Sequence, residues 1–399
     1  MDLSNLLYHD DGRLHHTDRV SAGYRRSYEV TAVFSELNTD SNRMTLPSRR
    51  NFKRKVRVCY PPGSGTLVIR TELDWERDVH PSALSSDGST ATFEIEAQQP
   101  FLHFKPCLIK NGSLHWAVGT NNLLIMVGDD DRVVYPFFFS DARGRFLPLV
   151  EVESAILDRH HRLRVYLPPG YEENTVARYP FAYMQDGQNL FFPHEAFQHK
   201  DWGVKETSQI LRSMQAIEDF IIVGVYSGER REEEYTKPGY EAYARSMVEE
   251  LVPVEQLFLR TTGDRLDRTM WGSSLGGVVS FYTVWQYPEI FGGAICMSST
   301  FFHKDDLLER VLSEPKRDVG FYLDSGWPGD NYEVTVAMAL ALVSKGWRYG
   351  RDLLYLCFPH AAHDEKAWGM RLHLPMQLFT GIVARASRSS DRDINANPG

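Results

Sequence analysis

Residues 271–277 read Trp-Gly-Ser-Ser-Leu-Gly-Gly, which places Ser274 in the middle of a Gly-x-Ser-x-Gly pattern. An apolar run precedes this stretch and predicts a strand, and residues 278–286 after it predict a helix. A serine hydroxyl is a weak nucleophile, so it must project from a tight strand-to-helix turn to reach a base and a substrate. We therefore predict that Ser274 is a nucleophile. The competing residue, Ser273, lies one position early in the pattern.

A histidine is needed as the base, and the loop after the last predicted strand offers two. His360 and His363 both follow the apolar run that ends at Phe358. In α/β hydrolases the acid and then the histidine come after the nucleophile along the chain. We predict His363 as the base, with His360 as the second candidate.

The acid should come from the loop after the preceding strand, and two aspartates qualify. Asp324 lies at the tip of that strand, where it could instead brace the loop, whereas Asp330 lies further out and can bend toward the histidine. The acid holds the imidazole in one tautomer and stabilises its cation. We prefer Asp330 and keep Asp324 as the alternative.

An oxyanion hole requires two backbone N–H groups that point at the reacting carbonyl. One should belong to Leu275, directly after the nucleophile, and the other to a loop after an earlier strand. Gly187 allows a sharp turn after the apolar run 179–184, so the N–H of Gln188 is the predicted second donor. The alternative is an ordinary Asp-Gly turn.

The rest of the chain divides into two patterns. Between residues 56 and 140, short strand-like runs separated by turn residues predict a small antiparallel sandwich. After residue 148, apolar strands alternate with helical segments, which indicates a mostly parallel sheet with helices on both faces. We expect domains at 1–148 and 149–386, and a disordered polar tail at 387–399.

Composition excludes several classes of partner. The 399 residues carry 44 Lys and Arg against 53 Asp and Glu, a net charge of −9. This balance argues against nucleic acid and against anionic membranes. We find no apolar run long enough to span a bilayer and no secretory signal in residues 1–19, so a cytoplasmic location is expected. Four dispersed cysteines form no metal motif, and we expect no metal and no organic cofactor. A homo-oligomer is possible.

Four segments make the second half of the chain similar to the esterase family that includes enterochelin esterase and esterase D. They are residues 183–191, 272–277, 324–330 and 362–368. The resemblance implies an α/β-hydrolase fold and favours the later aspartate, Asp330, as the acid. It also implies an arginine-containing loop near the site at residues 228–236.

Four residues are candidates for substrate contact beside these groups. By the same resemblance, Arg230 or Arg231, together with Tyr235, contacts substrate or braces the loop; Trp271 is the fourth candidate. The first half of the chain resembles the immunoglobulin-like domain that many of these esterases carry. There Trp75 and Trp116 could stack on a sugar ring or pack inside the protein.

These observations predict a serine carboxylic-ester hydrolase that acts on a small-molecule or glycan-linked ester through an acyl-enzyme. Two alternatives stay open. One is an acyltransferase that passes the acyl group to a sugar or another alcohol. The other is a glycan-binding protein with a vestigial hydrolase domain.

Overall fold

A computed structural model describes residues 7–8, 14–15, 51–128 and 131–384. The chain divides into two units after Asn51. In the first, strands Leu7–Tyr8 (β1) and Leu14–His15 (β2) pair antiparallel. The second unit holds all the elements below. The tail predicted to be disordered, 387–399, lies outside the described residues.

Nine strands between residues 52 and 134 form two sheets. They are Phe52–Cys59 (β3), Thr66–Thr71 (β4), Asp74–Val79 (β5), Ala83–Leu84 (β6), Thr90–Ala97 (β7), Phe101–Lys110 (β8), Ser113–Trp116 (β9), Asn122–Ile125 (β10) and Arg132–Val134 (β11). One sheet has the order β11-β3-β7-β6; the other has β10-β8-β4-β5, with β9 paired to β8. Alternate residues of both sheets, such as Val56, Phe93 and Phe104, share one core, because successive side chains of a strand point to opposite faces. The predicted all-β region is confirmed.

The second part of the chain forms a nine-stranded sheet. Its strands are Arg145–Phe146 (β12), Val150–Ser154 (β13), Arg159–Leu167 (β14), Phe181–Gln185 (β15), Ile221–Val225 (β16), Arg268–Ser273 (β17), Gly293–Met297 (β18), Gly320–Trp327 (β19) and Leu353–Pro359 (β20). The order is β12-β14-β16-β15-β17-β18-β19-β20, with β13 on β14. The strands from β16 to β20 run parallel, whereas β14 is antiparallel to β16.

This topology explains where a site can form. Because parallel strands end at the same edge of a sheet, the segments after β15, β17, β19 and β20 meet there. Those segments carry every residue predicted for catalysis. The predicted α/β-hydrolase fold is confirmed. Strand β12 already belongs to the large sheet, so this sheet begins just before residue 148; the domain boundary itself stays a prediction.

Nine α-helices lie between and after these strands. They are Val204–Ser213 (α1), Arg231–Tyr235 (α2), Gly239–Ser246 (α3), Val252–Phe258 (α4), Leu275–Gln286 (α5), Leu307–Ser313 (α6), Tyr332–Ser344 (α7), Glu365–Arg371 (α8) and His373–Thr380 (α9) among the described residues. The pattern predicts one final helix from 366 to 382, but the structure has two that meet at Leu372. The physical reason is Pro375, which has no N–H to donate to the carbonyl four residues before it. Within the ranges that the structure describes, no helix is long and apolar enough to cross a bilayer.

Two polar residues after β14 join the sandwich to the larger sheet. The carboxylate of Glu173 accepts hydrogen bonds from the hydroxyl of Tyr60 at 2.8 Å and from the backbone N–H groups of residues 138–140 at 2.6–2.9 Å. Asn174 is buried and its Nδ2 donates to the carbonyl of Cys59 at 2.9 Å. Backbone N–H and carbonyl groups that are shielded from water at this junction thereby have hydrogen-bond partners within the protein.

Candidate active site

Ser274 lies on a strained turn between β17 and α5. Its backbone has φ 54° and ψ −127°, a conformation that non-glycine residues rarely adopt. The turn is tight enough that a Cβ on Gly272 would lie 2.3 Å from the backbone carbon and oxygen of Gly276. The N–H of Ser274 donates to the carbonyl of Met297 at 3.0 Å. Glycine at 272 is therefore a steric requirement of the turn that presents the serine.

The structure brings Ser274, His363 and Asp330 together. The Nε2 atom of His363 lies 3.0 Å from the hydroxyl oxygen of Ser274, and its Nδ1 lies 2.7 Å from Oδ1 of Asp330. An ionised carboxylate can only accept a hydrogen bond, so Nδ1 carries the proton in the neutral imidazole and Nε2 is free to accept one. His360 takes no part in this arrangement. It is exposed, and its backbone N–H donates to the backbone carbonyl of Trp327 at 2.6 Å.

The side chain of Asp330 is buried and surrounded by donors. Besides His363 it accepts hydrogen bonds from the Ser298 hydroxyl and from the N–H groups of Gly326 at 2.6 Å and Asn331 at 2.8 Å. Burial by itself would raise the pKa of Asp330, but these hydrogen bonds outweigh it and hold the pKa well below its usual value. The carboxylate thus stays charged at neutral pH.

Asp324, the alternative acid, has a different partner. It is fully buried and pairs with Arg371, whose Nε lies 3.0 Å from Oδ2 and whose Nη2 lies 2.8 Å from Oδ1. Burial raises the pKa of Asp324, with Arg371 and the Tyr322 hydroxyl acting in the opposite direction. Of the two aspartates, only Asp330 hydrogen bonds to His363.

The two predicted oxyanion donors lie at the start of helical turns. Leu275 is the first residue of α5, where the backbone N–H has no partner within the helix. Gln188 lies in the 3₁₀ turn Gly187–Asn189, which packs so closely on β16 that a Cβ on Gly187 would lie 2.4 Å from the backbone carbon of Gly224. The side chain of Gln188 bonds Ser227, with Nε2 2.7 Å from its hydroxyl. The oxyanion role of both N–H groups stays a prediction.

Two of the four predicted substrate contacts are arginines, and each binds a partner within the protein. Arg231 forms an ion pair with Asp186, so it braces the loop that contains Gln188. Arg230 donates to the carbonyl of Leu157 instead.

Neither aromatic candidate is accessible to a substrate, so the substrate contact predicted for Trp271 needs correction and only the bracing role predicted for Tyr235 remains. Tyr235 is fully buried, and its hydroxyl lies 3.2 Å from Oε1 of Gln185. Trp271 is 1% exposed, and its Nε1 donates to the hydroxyl of Thr269 at 2.7 Å. Trp271 belongs to a central strand that is covered on both faces, so its side chain packs in the core although it stands beside the motif.

Three further residues surround Asp330 and His363, and two of them, Ser298 and Arg371, were missed by sequence reasoning. Ser298 and Arg371 lie directly behind Asp330, and the ring of Trp368 packs edge-on against His363 with ring centroids 5.1 Å apart. Ser298 and Arg371 carry no local sequence signal, because they are distant in the chain from the residues they contact. Trp368 lies in the segment 362–368 that carries the resemblance.

Comparison with known proteins gives a family match over most of the catalytic half. The model of a family described as "Putative esterase" matches residues 154–373. The chain is 24% identical over 164 residues to Uncharacterized protein YbbA of Bacillus subtilis, covering 37% of this chain and 59% of that protein. It is 33% identical over 177 residues to Uncharacterized protein YjcH of the same organism, covering 43% and 69%. The match to the first of these relatives therefore spans about three fifths of its length.

Two further comparisons concern proteins with described activities. A protein named endo-1,4-beta-xylanase/feruloyl esterase, from Xylanibacter ruminicola, is 29% identical over 198 residues, covering 45% of this chain and 24% of that protein. A solved structure of a ferulic acid esterase matches with a TM-score of 0.50 at 20% identity, covering 60% of this chain and 98% of that one. At this level of identity the structural match bears on the fold alone.

Proposed function

This chain belongs to the esterase family whose model it matches, and from that premise we propose that it is a serine hydrolase of carboxylic esters. The observation that carries the proposal is the pair of hydrogen bonds that connects the Ser274 hydroxyl to His363 and His363 to Asp330. A nucleophile, a base and an orienting acid in this order are the requirements for acyl transfer through a serine.

In the first half of the proposed reaction, Nε2 of His363 takes the hydroxyl proton while the oxygen of Ser274 attacks the ester carbonyl carbon. The carbonyl oxygen becomes an oxyanion, which the N–H groups of Leu275 and Gln188 would stabilise. Asp330 holds the imidazole in position and offsets its positive charge. The tetrahedral intermediate then collapses, the alcohol leaves with the proton from His363, and an acyl-enzyme remains.

In the second half, a water molecule replaces the alcohol. His363 takes a proton from that water, the resulting hydroxide attacks the acyl carbon, and the carboxylic acid leaves as Ser274 recovers its proton. His363 therefore acts once as base and once as acid in each half. The continuously charged carboxylate of Asp330 suits both directions of proton transfer.

The test is hydrolysis of p-nitrophenyl acetate by the wild type, Ser274→Ala and Ser273→Ala. Ser273 is the matched control because it is the neighbouring serine, is buried and is not part of the proposed machinery. We expect Ser274→Ala to lower kcat by a factor on the order of 10⁴–10⁶, and Ser273→Ala to retain activity. A fluorophosphonate probe should label the wild type and Ser273→Ala but not Ser274→Ala. Equal rates for the wild type and Ser274→Ala would end the proposal.

The substrate class is the finer part of the proposal. The similarity to a protein named as a feruloyl esterase supports hydroxycinnamoyl esters as the first natural class to examine. A panel of p-nitrophenyl esters of increasing chain length, with p-nitrophenyl ferulate among them, ranks the acyl groups by kcat/KM at a constant leaving group, and feruloyl and acetyl-sugar esters are run beside it. A p-nitrophenyl ferulate that ranks below every simple p-nitrophenyl ester would remove this class from the proposal.

A further inference from the structure

Three buried polar residues lie behind Asp330 and have no role in the mechanism above. Asp324 and Ser298 are 0% exposed and Arg371 is 3% exposed. They come from separate parts of the chain, namely strand β19, the residue after β18, and the last residue of α8. Buried charges are costly unless they are paired and hydrogen bonded, so a cluster of this kind calls for a physical explanation.

Arg371 connects the other two members of the cluster. Its Nη2 lies 2.6 Å from the hydroxyl oxygen of Ser298 and 2.8 Å from Oδ1 of Asp324, while its Nε lies 3.0 Å from Oδ2. Asp324 is fixed further by the hydroxyl of Tyr322 at 2.8 Å and by the N–H of Ser298 at 3.2 Å. The carboxylate of Asp324 is thus fixed by several donors, and it holds the guanidinium group of Arg371 in one orientation.

The chemistry of these groups sets the direction of each hydrogen bond. A guanidinium group can only donate, so the oxygen of Ser298 accepts from Arg371. An ionised carboxylate can only accept, so the single hydroxyl proton of Ser298 points to Oδ2 of Asp330. The backbone of Ser298 is also fixed, because Asn331 Nδ2 donates to its carbonyl at 2.8 Å. The hydroxyl of Ser298 therefore has one orientation, in which it accepts from Arg371 and donates to Asp330.

We propose that Ser298 is a positioning residue for the triad acid, and that the Arg371–Asp324 pair fixes the direction of its hydroxyl. The proposal rests on the function proposed above. Ser298 and the N–H of Gly326 hold Oδ2 of Asp330, which leaves Oδ1 aimed at Nδ1 of His363. Without the hydroxyl, Oδ2 of Asp330 keeps only the N–H of Gly326 as a donor, so the carboxylate is held less firmly about its Cβ–Cγ bond and the imidazole loses alignment.

The consequence is specific to the chemical step. The side chains of the cluster are buried, so substrate binding should not depend on direct contact with them. Misalignment of a catalytic group by about 1 Å can cost on the order of 10²-fold in rate. Loss of the hydroxyl should therefore lower kcat and leave KM unchanged.

The experiment is a double-mutant cycle between Ser298→Ala and Asp330→Asn. Alanine keeps the Cβ of Ser298, whose φ of 43° makes any backbone change costly, and removes only the hydroxyl. We expect Ser298→Ala alone to lower kcat by about 10- to 100-fold with KM unchanged. In the Asp330→Asn background the same substitution should cost less than about 2-fold, because the carboxylate it positions is gone. A purely structural role would give the same cost in both backgrounds.

A second pair of variants separates positioning from stability. Arg371→Lys keeps the charge beside Asp324 but lacks the planar fork that reaches Ser298 as well, so it should reproduce the kcat defect. The matched control is Arg268→Lys. Arg268 forms a bidentate ion pair with Glu255 at 2.8 and 2.9 Å, and both residues are buried. It is the first residue of β17, at the opposite end of that strand from Ser274. Arg268→Lys should lower the urea midpoint with kcat unchanged.

The outcomes are distinguishable. If Ser274→Ala is inactive while Ser298→Ala has wild-type kcat, or costs equally in both backgrounds, this inference is overturned and the proposed function stands. If Ser274→Ala is as active as the wild type, the proposed function fails and this inference fails with it.

Discussion

Arg231 forms a two-pronged ion pair with Asp186, with Nε 2.6 Å from Oδ1 and Nη2 2.7 Å from Oδ2. Asp186 is buried, has a left-handed backbone with φ 54°, and directly precedes the turn Gly187–Asn189. Two parallel hydrogen bonds fix the carboxylate in both distance and orientation. The ion pair therefore anchors the loop on which the predicted oxyanion donor Gln188 lies.

Arg231→Lys should lower kcat by roughly 10-fold with KM unchanged, because lysine supplies a point charge and not a planar fork. The loop could then shift, and its N–H would stabilise the oxyanion less well. The control is Arg230→Lys, since the Arg230 side chain is 50% exposed and contacts Leu157 and Glu234 instead of the loop. Steady-state kinetics on p-nitrophenyl acetate decide the matter. Equal defects in both variants would contradict the anchoring role.

The two aspartates should fail in different ways when each is replaced by asparagine. Asp330→Asn removes the charge beside His363 and should lower kcat by roughly 10⁴-fold in a protein that still folds. Asp324→Asn leaves the buried charge of Arg371 without its counter-ion, so the free energy of unfolding should fall by about 3 kcal/mol. Kinetics and urea unfolding of both variants give the comparison. A larger loss of kcat in a fully folded Asp324→Asn would reverse the assignment.

The three groups that the structure brings together, Ser274, His363 and Asp330, could be predicted because each has a local sequence signal. Ser274 stands in a short motif between a strand and a helix, and the order of acid and histidine along the chain narrows the other choices. Ser298 and Arg371 have no such signal. A serine and an arginine are common residues, and only the folded structure brings Arg371 of α8 to Ser298 after β18 and to Asp324 of β19.

The incorrect predictions also have physical reasons. Trp271 adjoins the motif, but a central parallel strand is covered on both faces, so adjacency in sequence does not mean exposure at the site. The predicted helix 366–382 is divided at Leu372, because Pro375 lacks the N–H that would bond the carbonyl four residues before it, and helical periodicity alone does not show this. In each case packing or backbone chemistry overrides the pattern.

The close approach of Gly272 to Gly276 predicts that alanine is not tolerated at position 272. A Cβ there would lie 2.3 Å from backbone atoms that cannot rotate away, so the turn must open. We expect Gly272→Ala to destabilise the fold by about 1–3 kcal/mol and to lower kcat, since Ser274 moves with the turn. Gly320→Ala is the control, because the nearest atom to its added Cβ would be 3.8 Å away. Thermal unfolding and kinetics should show the contrast; similar results for the two variants would contradict it.

Glu173 makes the junction between sandwich and larger sheet sensitive to acid. Burial opposes ionisation of its carboxylate, but hydrogen bonds from Phe138, Phe139, Ser140 and Tyr60 prevail and lower the pKa of Glu173 in the folded protein. As pH falls, the unfolded chain therefore binds a proton at this residue before the folded chain does. The contribution of Glu173 to stability is complete above the unfolded pKa of about 4.3 and is lost as pH falls through the folded value.

Glu173→Gln should thus be less stable than the wild type at pH 7, and the difference should shrink as the pH is lowered from about 5 toward 3. Urea unfolding at a series of pH values measures it. Glu172→Gln is the control, because that side chain is 63% exposed and pairs only with Arg145 among the described residues, so its curve should follow the wild type. A constant difference between wild type and Glu173→Gln across this range would show that the carboxylate charge does not hold the junction.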